Sequence, residues 1–247
     1  MPQEKADRKL RSLGREEGKP LYSPVFHEVR IDAASEKAEI LRVCQTDFEV
    51  LSANKGFEAM EYLDTPSGDI FRGLCEGNLC EGLKDHAGHG MLVVMEEEEE
   101  SKKGGRCLMK TTKTLKIPSV ANFLDYSGLS FYPLAMDPKL RDQKNVGRLA
   151  ITSQENAAMW VGDFDVEKLE IVGEGVTLHF PRDHDCNIRH CNIEGVIWVD
   201  EYRIVAVSDR TKATQPFWCE ATDQTLSMFM LPHHFWKGPE LTDDDEA

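Results

Sequence analysis

Short stretches of alternating apolar and polar residues, separated by Gly, Pro, Asn and Asp, fill the chain from about residue 25 to residue 232. Period-two alternation puts one set of side chains on each face of an extended strand, and the intervening residues are those that turn the backbone. VFHEVRID (25–32), AEILRVCQT (38–46), HGMLVVME (89–96) and DQTLSMFMLP (223–232) read as strands. So do MKTTKTLKIP (109–118) and EIVGEGVTLHFP (170–181), each closed by a proline. Residues 35–51 also fit a short amphipathic helix, but little else in the chain reads as helical.

Three longer segments line up with one another. They are NKGFEAMEYLDTPSGDIFRGLCEGN (54–78), LDYSGLSFYPLAMD (124–137) continued by VGRLAITSQENAAMWVGDFD (146–165), and CNIEGVIWVDEYRIVAVSDRTK (191–212). Each opens on small residues, turns, and runs into a second strand that ends in a polar cluster. Glu58, Ser127 and Glu194 mark the openings, 69 and 67 residues apart. About four strands recur in each unit, which predicts an all-β fold and specifically a β-propeller of four-stranded blades. A β-sandwich also offers many short strands, but it does not explain the repeat. The units fall at about 48–118, 119–181 and 182–235, within a propeller region of 23–235. A polar extension (1–22) precedes it and an acidic tail (236–247) follows. With two further strands before the first unit, about three and a half blades are visible. An open ring leaves unpaired strand edges, which a partner or a second copy in a homodimer would cover.

Composition narrows the partners. The formal charge is −15 with a pI near 5.0, the wrong sign for tracking nucleic-acid phosphates or anionic lipid. Five consecutive glutamates (96–100) and five acids among residues 240–246 supply ten of the negative charges, and without them the balance falls to −5. Both runs read as solvated segments, a loop tip and a frayed tail. No apolar run is long enough to span a bilayer and the N-terminus reads as polar, so the sequence predicts a cytoplasmic protein, or a secreted one if residues precede Met1. Seven cysteines, an odd number, favour reduced thiols. A disulfide across Cys75/Cys80 or Cys186/Cys191 is the alternative for a secreted chain. The HDCNIRHCN segment also offers His184, Cys186, His190 and Cys191 as four zinc ligands, but their tight clustering fits no common finger pattern, and loop thiols are the preferred reading.

The combination of GFEAMEY, LCEGN, SQENAAMWVGDFD and NIEGVIWVDEYRIVAVSD resembles the esterase-like phytase domain family over residues 48–232. In that family the inner strand of a blade opens on a Glu-Gly step. Glu194-Gly195 keeps it, Glu58-Ala59 keeps the acid, and Ser127-Gly128 keeps the glycine. The resemblance implies a propeller that, in some members, hydrolyses phosphate or carboxylate esters.

In a propeller the inner strands line a central channel, so residues at strand starts and ends gather at one mouth. Glu58, Glu155, Asn156, Glu194 and Asp209 form the expected cluster, with Glu58, Glu194 and Asp209 as the candidate catalytic acids. Carboxylates ~6 Å apart at an effective dielectric near 20 repel by roughly 3 kcal/mol per pair, and a hard cation would relieve that cost. Oxygen ligands of this kind suit Ca²⁺ or Mg²⁺, which could polarise an ester and activate water beside a spare carboxylate. No organic cofactor is expected. The competing reading has the acids accepting backbone hydrogen bonds at turns or pairing with Lys55 and Arg210. No G-x-S-x-G elbow surrounds Ser127, no phosphate cradle is present, and the histidines are scattered. Trp160, Trp198, Trp218, Trp236, Phe217 and Phe229 read as packing aromatics. Two functions follow: a non-catalytic propeller that binds a protein partner or small ligand at its channel face, or a Ca/Mg-dependent ester hydrolase.

Overall fold

The computed structural model describes residues 22–50, 56–65, 68–80, 87–99, 106–134, 145–210, 215, 217, 219 and 224–232. Within them the chain is all-β, with thirteen strands and a short 3-10 turn at Asn78–Cys80. A first antiparallel meander is built from β3 (Phe57–Thr65), β4 (Gly68–Cys75), β5 (Met91–Glu97) and β6 (Leu108–Lys116). A second runs through β7 (Gly128–Pro133), β8 (Val146–Ser153), β9 (Ala158–Asp165) and β10 (Glu170–His179). A third holds β11 (Ile193–Trp198), β12 (Arg203–Ser208) and β13 (Leu226–Met230).

Before them, β1 (Val25–Asp32) and β2 (Lys37–Thr46) form a hairpin joined to the outer strand β6 by a short parallel pairing of Gln45 with Leu108 and Thr46 with Met109. Residues 37–46 are therefore strand, not helix. The expected loop tip at the glutamate run also starts later than the sequence suggested. Glu96 and Glu97 belong to β5, where Glu97 and Glu28 both accept hydrogen bonds from Arg42 and hold its guanidinium pKa above the usual range. Residues 1–21 of the 1–22 extension and the acidic tail lie outside the described residues, as do Trp218 and Trp236, while Tyr22 bridges to Val50.

The three sheets meet face to face. Leu74, Leu92 and Val94 of the first sheet pack on Leu149, Ile151 and Trp160 of the second. Ala150, Met159 and Val161 on the other face of the second pack on Val196, Trp198 and Ile204 of the third. The far side of the first sheet is covered by Phe48 and Val50 over Val93, Met95 and Met109. The leading strands of the three meanders touch in sequence, β3 against β7 and β7 against β11. The same hydrogen bond recurs at both junctions. The backbone N–H of Phe131 on β7 donates to the Glu61 carboxylate of β3, and that of Trp198 on β11 donates to the Ser130 hydroxyl of β7 at 3.1 Å.

Strand burial follows from this stacking. β8 lies between two sheets and seven of its eight residues are buried, whereas β12 alternates because one of its faces is uncovered. A buried ion pair ties the first junction together: Arg72 of β4 bonds Glu61 and lies against the rings of Phe131 and Phe164, at 4.7 and 4.5 Å from their centroids. Burial lowers the Arg72 pKa and raises that of Glu61, so desolvation outweighs the mutual attraction at both ends.

The expectation of reduced thiols is corrected. Pairing β2 with β6 brings Cys44 beside Cys107, and these form a disulfide with Cα atoms 4.5 Å apart. Cys75 and Cys80 close a second across the 3-10 turn, and Cys191 and Cys219 a third. Cys186 is the free and exposed thiol among the described residues, so the Cys186/Cys191 spacing does not mark a pair. With Cys191 bonded elsewhere, the four-ligand zinc set of HDCNIRHCN is broken. His190 packs instead on Phe180 and Phe229, and burial lowers its pKa.

Candidate functional site

Two of the repeated strand openings share a backbone irregularity. Phe57 pairs with Cys75 and Ala59 with Leu74, so Glu58 is an extra residue bulged from β3. Ile193 pairs with Ser208 and Gly195 with Val207, so Glu194 is the extra residue of β11. A bulge re-aims the side chain it carries and increases local twist. The middle unit has none. Gly128 pairs directly with Thr152, and Ser127 lies just before the strand, where its hydroxyl donates to the Ile193 carbonyl at 2.7 Å and meets the Thr152 hydroxyl at 3.2 Å. The glycine that follows has a definite use. A Cβ on Gly128 would come within 3.1 Å of Gly195 Cα and 3.2 Å of the Val196 nitrogen, so the small residue lets β11 approach β7.

The strand ends carry a hydrogen-bonded rim. Asp125 accepts from the Ser153 hydroxyl and, at 3.0 Å, from the Glu155 N–H. Burial raises the Asp125 pKa, and the hydroxyl and backbone donors oppose that rise. Asn156 accepts the Leu124 N–H at 2.8 Å and the Ser153 hydroxyl at 3.0 Å. Asn78, fully buried, donates to the carbonyls of Phe123 and Leu124 and accepts the His89 N–H at 2.8 Å. Asn192, also buried, accepts from Gln154 at 2.8 Å and donates to the Arg210 carbonyl at 3.0 Å and to Gln215 at 2.6 Å. The Asp209 N–H donates to the Asn192 carbonyl at 2.8 Å.

Each sequence-predicted residue therefore has a place. Glu58 and Glu194 sit on equivalent bulges, Glu58 exposed and Glu194 half-buried. Glu155 and Asn156 lie in the β8–β9 turn and Asp209 just beyond β12. Among the described residues no group of three or more His, Cys, Asp or Glu side chains is gathered so as to hold a metal ion. The sequence pattern marks Asn78 as a strand-end residue but gives no sign of Asp125, Ser153 or Asn192 as fasteners. Asn192 combines near-complete burial with a positive φ of 53°, a conformation for which Asn is enriched. As arranged, the rim fixes loops of one sheet to the next. Ser127 and Ser153 spend their hydroxyls on Ile193, Thr152, Asp125 and Asn156, so neither is prepared as a nucleophile by a histidine.

No family model and no curated protein matches the chain. Among solved structures it is similar to the hydrazine synthase of Kuenenia stuttgartiensis, at 11% identity and a TM-score of 0.38, with 82% of this chain and 44% of that chain covered. The chain thus spans less than half the length of that structure, and a likeness of this size carries no argument about fold or activity.

Proposed function

We propose that the chain is an open segment of a β-propeller and works as a binding module, without catalysis of its own. The three sheets would be blades, with β3, β7 and β11 as their inner strands. Support comes from the repeated junction hydrogen bond, Glu61 to Phe131 and Ser130 to Trp198. The observation that carries the binding reading is the rim. Asp125, Ser153 and Asn156, polar groups where an active site would be sought, are spent on fastening the segment that leads into β7 to the β8–β9 turn, and Asn192 on Gln154 of the adjacent sheet. A protein partner or small ligand would then be held at the channel face or on an open flank. The test is a turnover screen with p-nitrophenyl phosphate, p-nitrophenyl acetate and a lactone, with and without Ca²⁺. No turnover is expected. Metal-dependent turnover abolished by Glu194→Gln would sink this reading.

The second reading, a Ca/Mg-dependent ester hydrolase resembling the esterase-like phytase domain family, has one observation in its favour: Glu58 and Glu194 bulge at the same ladder position of two sheets. Calorimetric titration with Ca²⁺ and Mg²⁺ decides it, because uptake by the wild type that Glu194→Gln loses would establish the cation site. The three disulfides favour an oxidising compartment over the cytoplasm as the place of work.

A further inference from the structure

The second and third sheets present matching faces on the same side. In the second, hydrogen-bond register sets the rows Gly128–Thr152–Met159, Ser130–Ala150–Val161 and Tyr132–Arg148–Asp163. The third sheet covers this face, and every one of the nine residues is buried or half-buried. In the third sheet the equivalent rows are Gly195–Val207–Leu226, Ile197–Val205–Met228 and Val199–Arg203–Met230, with Val199 joined to Arg203 by a backbone hydrogen bond. Among the described residues nothing comparable covers these. Ile197, Val199, Val207, Leu226, Met228 and Met230 are between 41% and 75% exposed.

The uncovered face is the more apolar of the two. Ile197 replaces Ser130, Val205 replaces Ala150, and Met230 replaces Asp163. Together the six exposed side chains offer on the order of 600 Å² of apolar surface, at the top of what monomers expose and close to one side of a small specific interface. None of the nine residues is acidic, although the chain carries a net charge of −15. The one charge, Arg203, is already paired with Asp200. A Cβ at Gly195 would meet Val207 Cγ2 at 2.7 Å and no backbone, whereas at Gly128 the backbone of β11 packs close by.

We propose that this face is the dimer interface, packed against the same face of a second copy around a two-fold axis. The proposal rests on the binding-module reading and names its partner. Two features select the two-fold arrangement over a head-to-tail continuation of the stack. At each internal junction the leading inner strand offers an acceptor, Glu61 or Ser130, to the next strand's backbone N–H. Ile197 occupies that position in the third sheet and has none, so a following strand would lose its hydrogen bond. An apolar surface with no directional partner is instead complementary to itself, and isologous pairing of two acid-free patches avoids like-charge contact in an acidic protein.

Sedimentation equilibrium of the full oxidised chain tests this. The wild type is expected as a dimer at micromolar concentration. Met228→Glu, and separately Leu226→Glu, should raise the dissociation constant at least a hundredfold while near-UV circular dichroism stays unchanged. Met60→Glu, on the exposed side of β3 where a head-to-tail neighbour would dock, should leave it unaltered. A monomeric wild type, a dimer that tolerates both carboxylates, or a dimer broken by Met60→Glu would each overturn the proposal. None of these outcomes bears on turnover, so the binding-module reading would stand or fall by its own screen.

Discussion

The second and third sheets carry nearly the same strand, Arg148-Leu-Ala-Ile-Thr-Ser153 in one and Arg203-Ile-Val-Ala-Val-Ser208 in the other, with different consequences. Arg148 is buried and donates to the Glu201 carbonyl of the neighbouring sheet at 2.9 Å. Arg203 is exposed and turns back to Asp200, three residues away. The strands do not differ in local preference. What differs is whether a further sheet lies on top. Burial is set here by position in the stack, and a sequence pattern reports it only where the neighbour is known. Disulfides divide in the same way: Cys44–Cys107 and Cys75–Cys80 belong to the first sheet and its hairpin and Cys191–Cys219 to the third, while residues 108–185 contain no cysteine. The sheet that lies between two others has no cross-link, and the two at the ends do.

The comparison can be broken most forcefully at its packing. Trp160→Ala, removing the largest fully buried side chain of the middle sheet, should cost about 3–5 kcal/mol. Met228→Ala in the third sheet should stay within about 0.5 kcal/mol in monomeric conditions. Urea midpoints of the two variants check this, and equal losses would mean that the two sheets are equally covered. Next comes the cross-link. Cys191→Ser with Cys219→Ser should destabilise by about 3–4 kcal/mol, the loop-closure value for a span of 28 residues. Thermal unfolding with and without reductant measures it, and a variant as stable as the oxidised wild type would remove the cross-link from the account.

The paired arginines sharpen the contrast further. Arg148→Ala leaves the Glu201 carbonyl without its buried donor and should cost about 1–3 kcal/mol. Arg203→Ala, losing an exposed pair, should cost about 0–1 kcal/mol. The glycines should behave in parallel. Gly128→Ala drives a Cβ against the backbone of β11 and should cost about 1–3 kcal/mol. At Gly195 the same change meets only a Val207 methyl, which can turn aside, so its effect should be the smaller. Chemical denaturation of the four proteins decides both pairs.

The smallest expected effect is on pH dependence. The folded-state pKa of Asp125 is raised, so the native chain holds its proton where the unfolded chain has released it. That contribution to stability is full below the ordinary carboxylate value of 3.8 and is lost as pH rises through the raised value. Asp125→Asn should flatten the slope, gaining on the wild type from pH 4 to pH 7 in urea midpoints. A difference independent of pH would show that Asp125 titrates normally.

Most strands were legible because alternation survives wherever a sheet has one open or polar face. VFHEVRID and RIVAVS are such cases. The spacing of Glu58, Ser127 and Glu194 was legible too, and it marks equivalent strand starts, two of them bulged. The rim was not. Asp125 is joined to Ser153 and Glu155, some 28 and 30 residues on, and Asn192 to Gln154 of the neighbouring sheet, long-range contacts that leave no period in the sequence. Cysteine spacing marked the Cys75–Cys80 pair but not Cys44–Cys107, whose members are neighbours only because β2 runs parallel to β6. A pattern of residue types records what a strand prefers. It does not record which strand will lie beside it.

The β1–β2 hairpin is tied to the rest of the molecule near its base, by two ladder pairs, one disulfide, the Arg42–Glu97 pair and the packing of Phe26, and almost all of its residues are exposed. An isolated two-stranded ribbon is barely stable in water, so its amides should exchange with solvent by local opening at a small fraction of the global unfolding free energy, while those of β8 and β9 wait for the whole chain to open. The Cys44–Cys107 bond then sets the boundary of that opening. It allows the ribbon to melt toward its tip and return, and keeps the loss of order from travelling into β6.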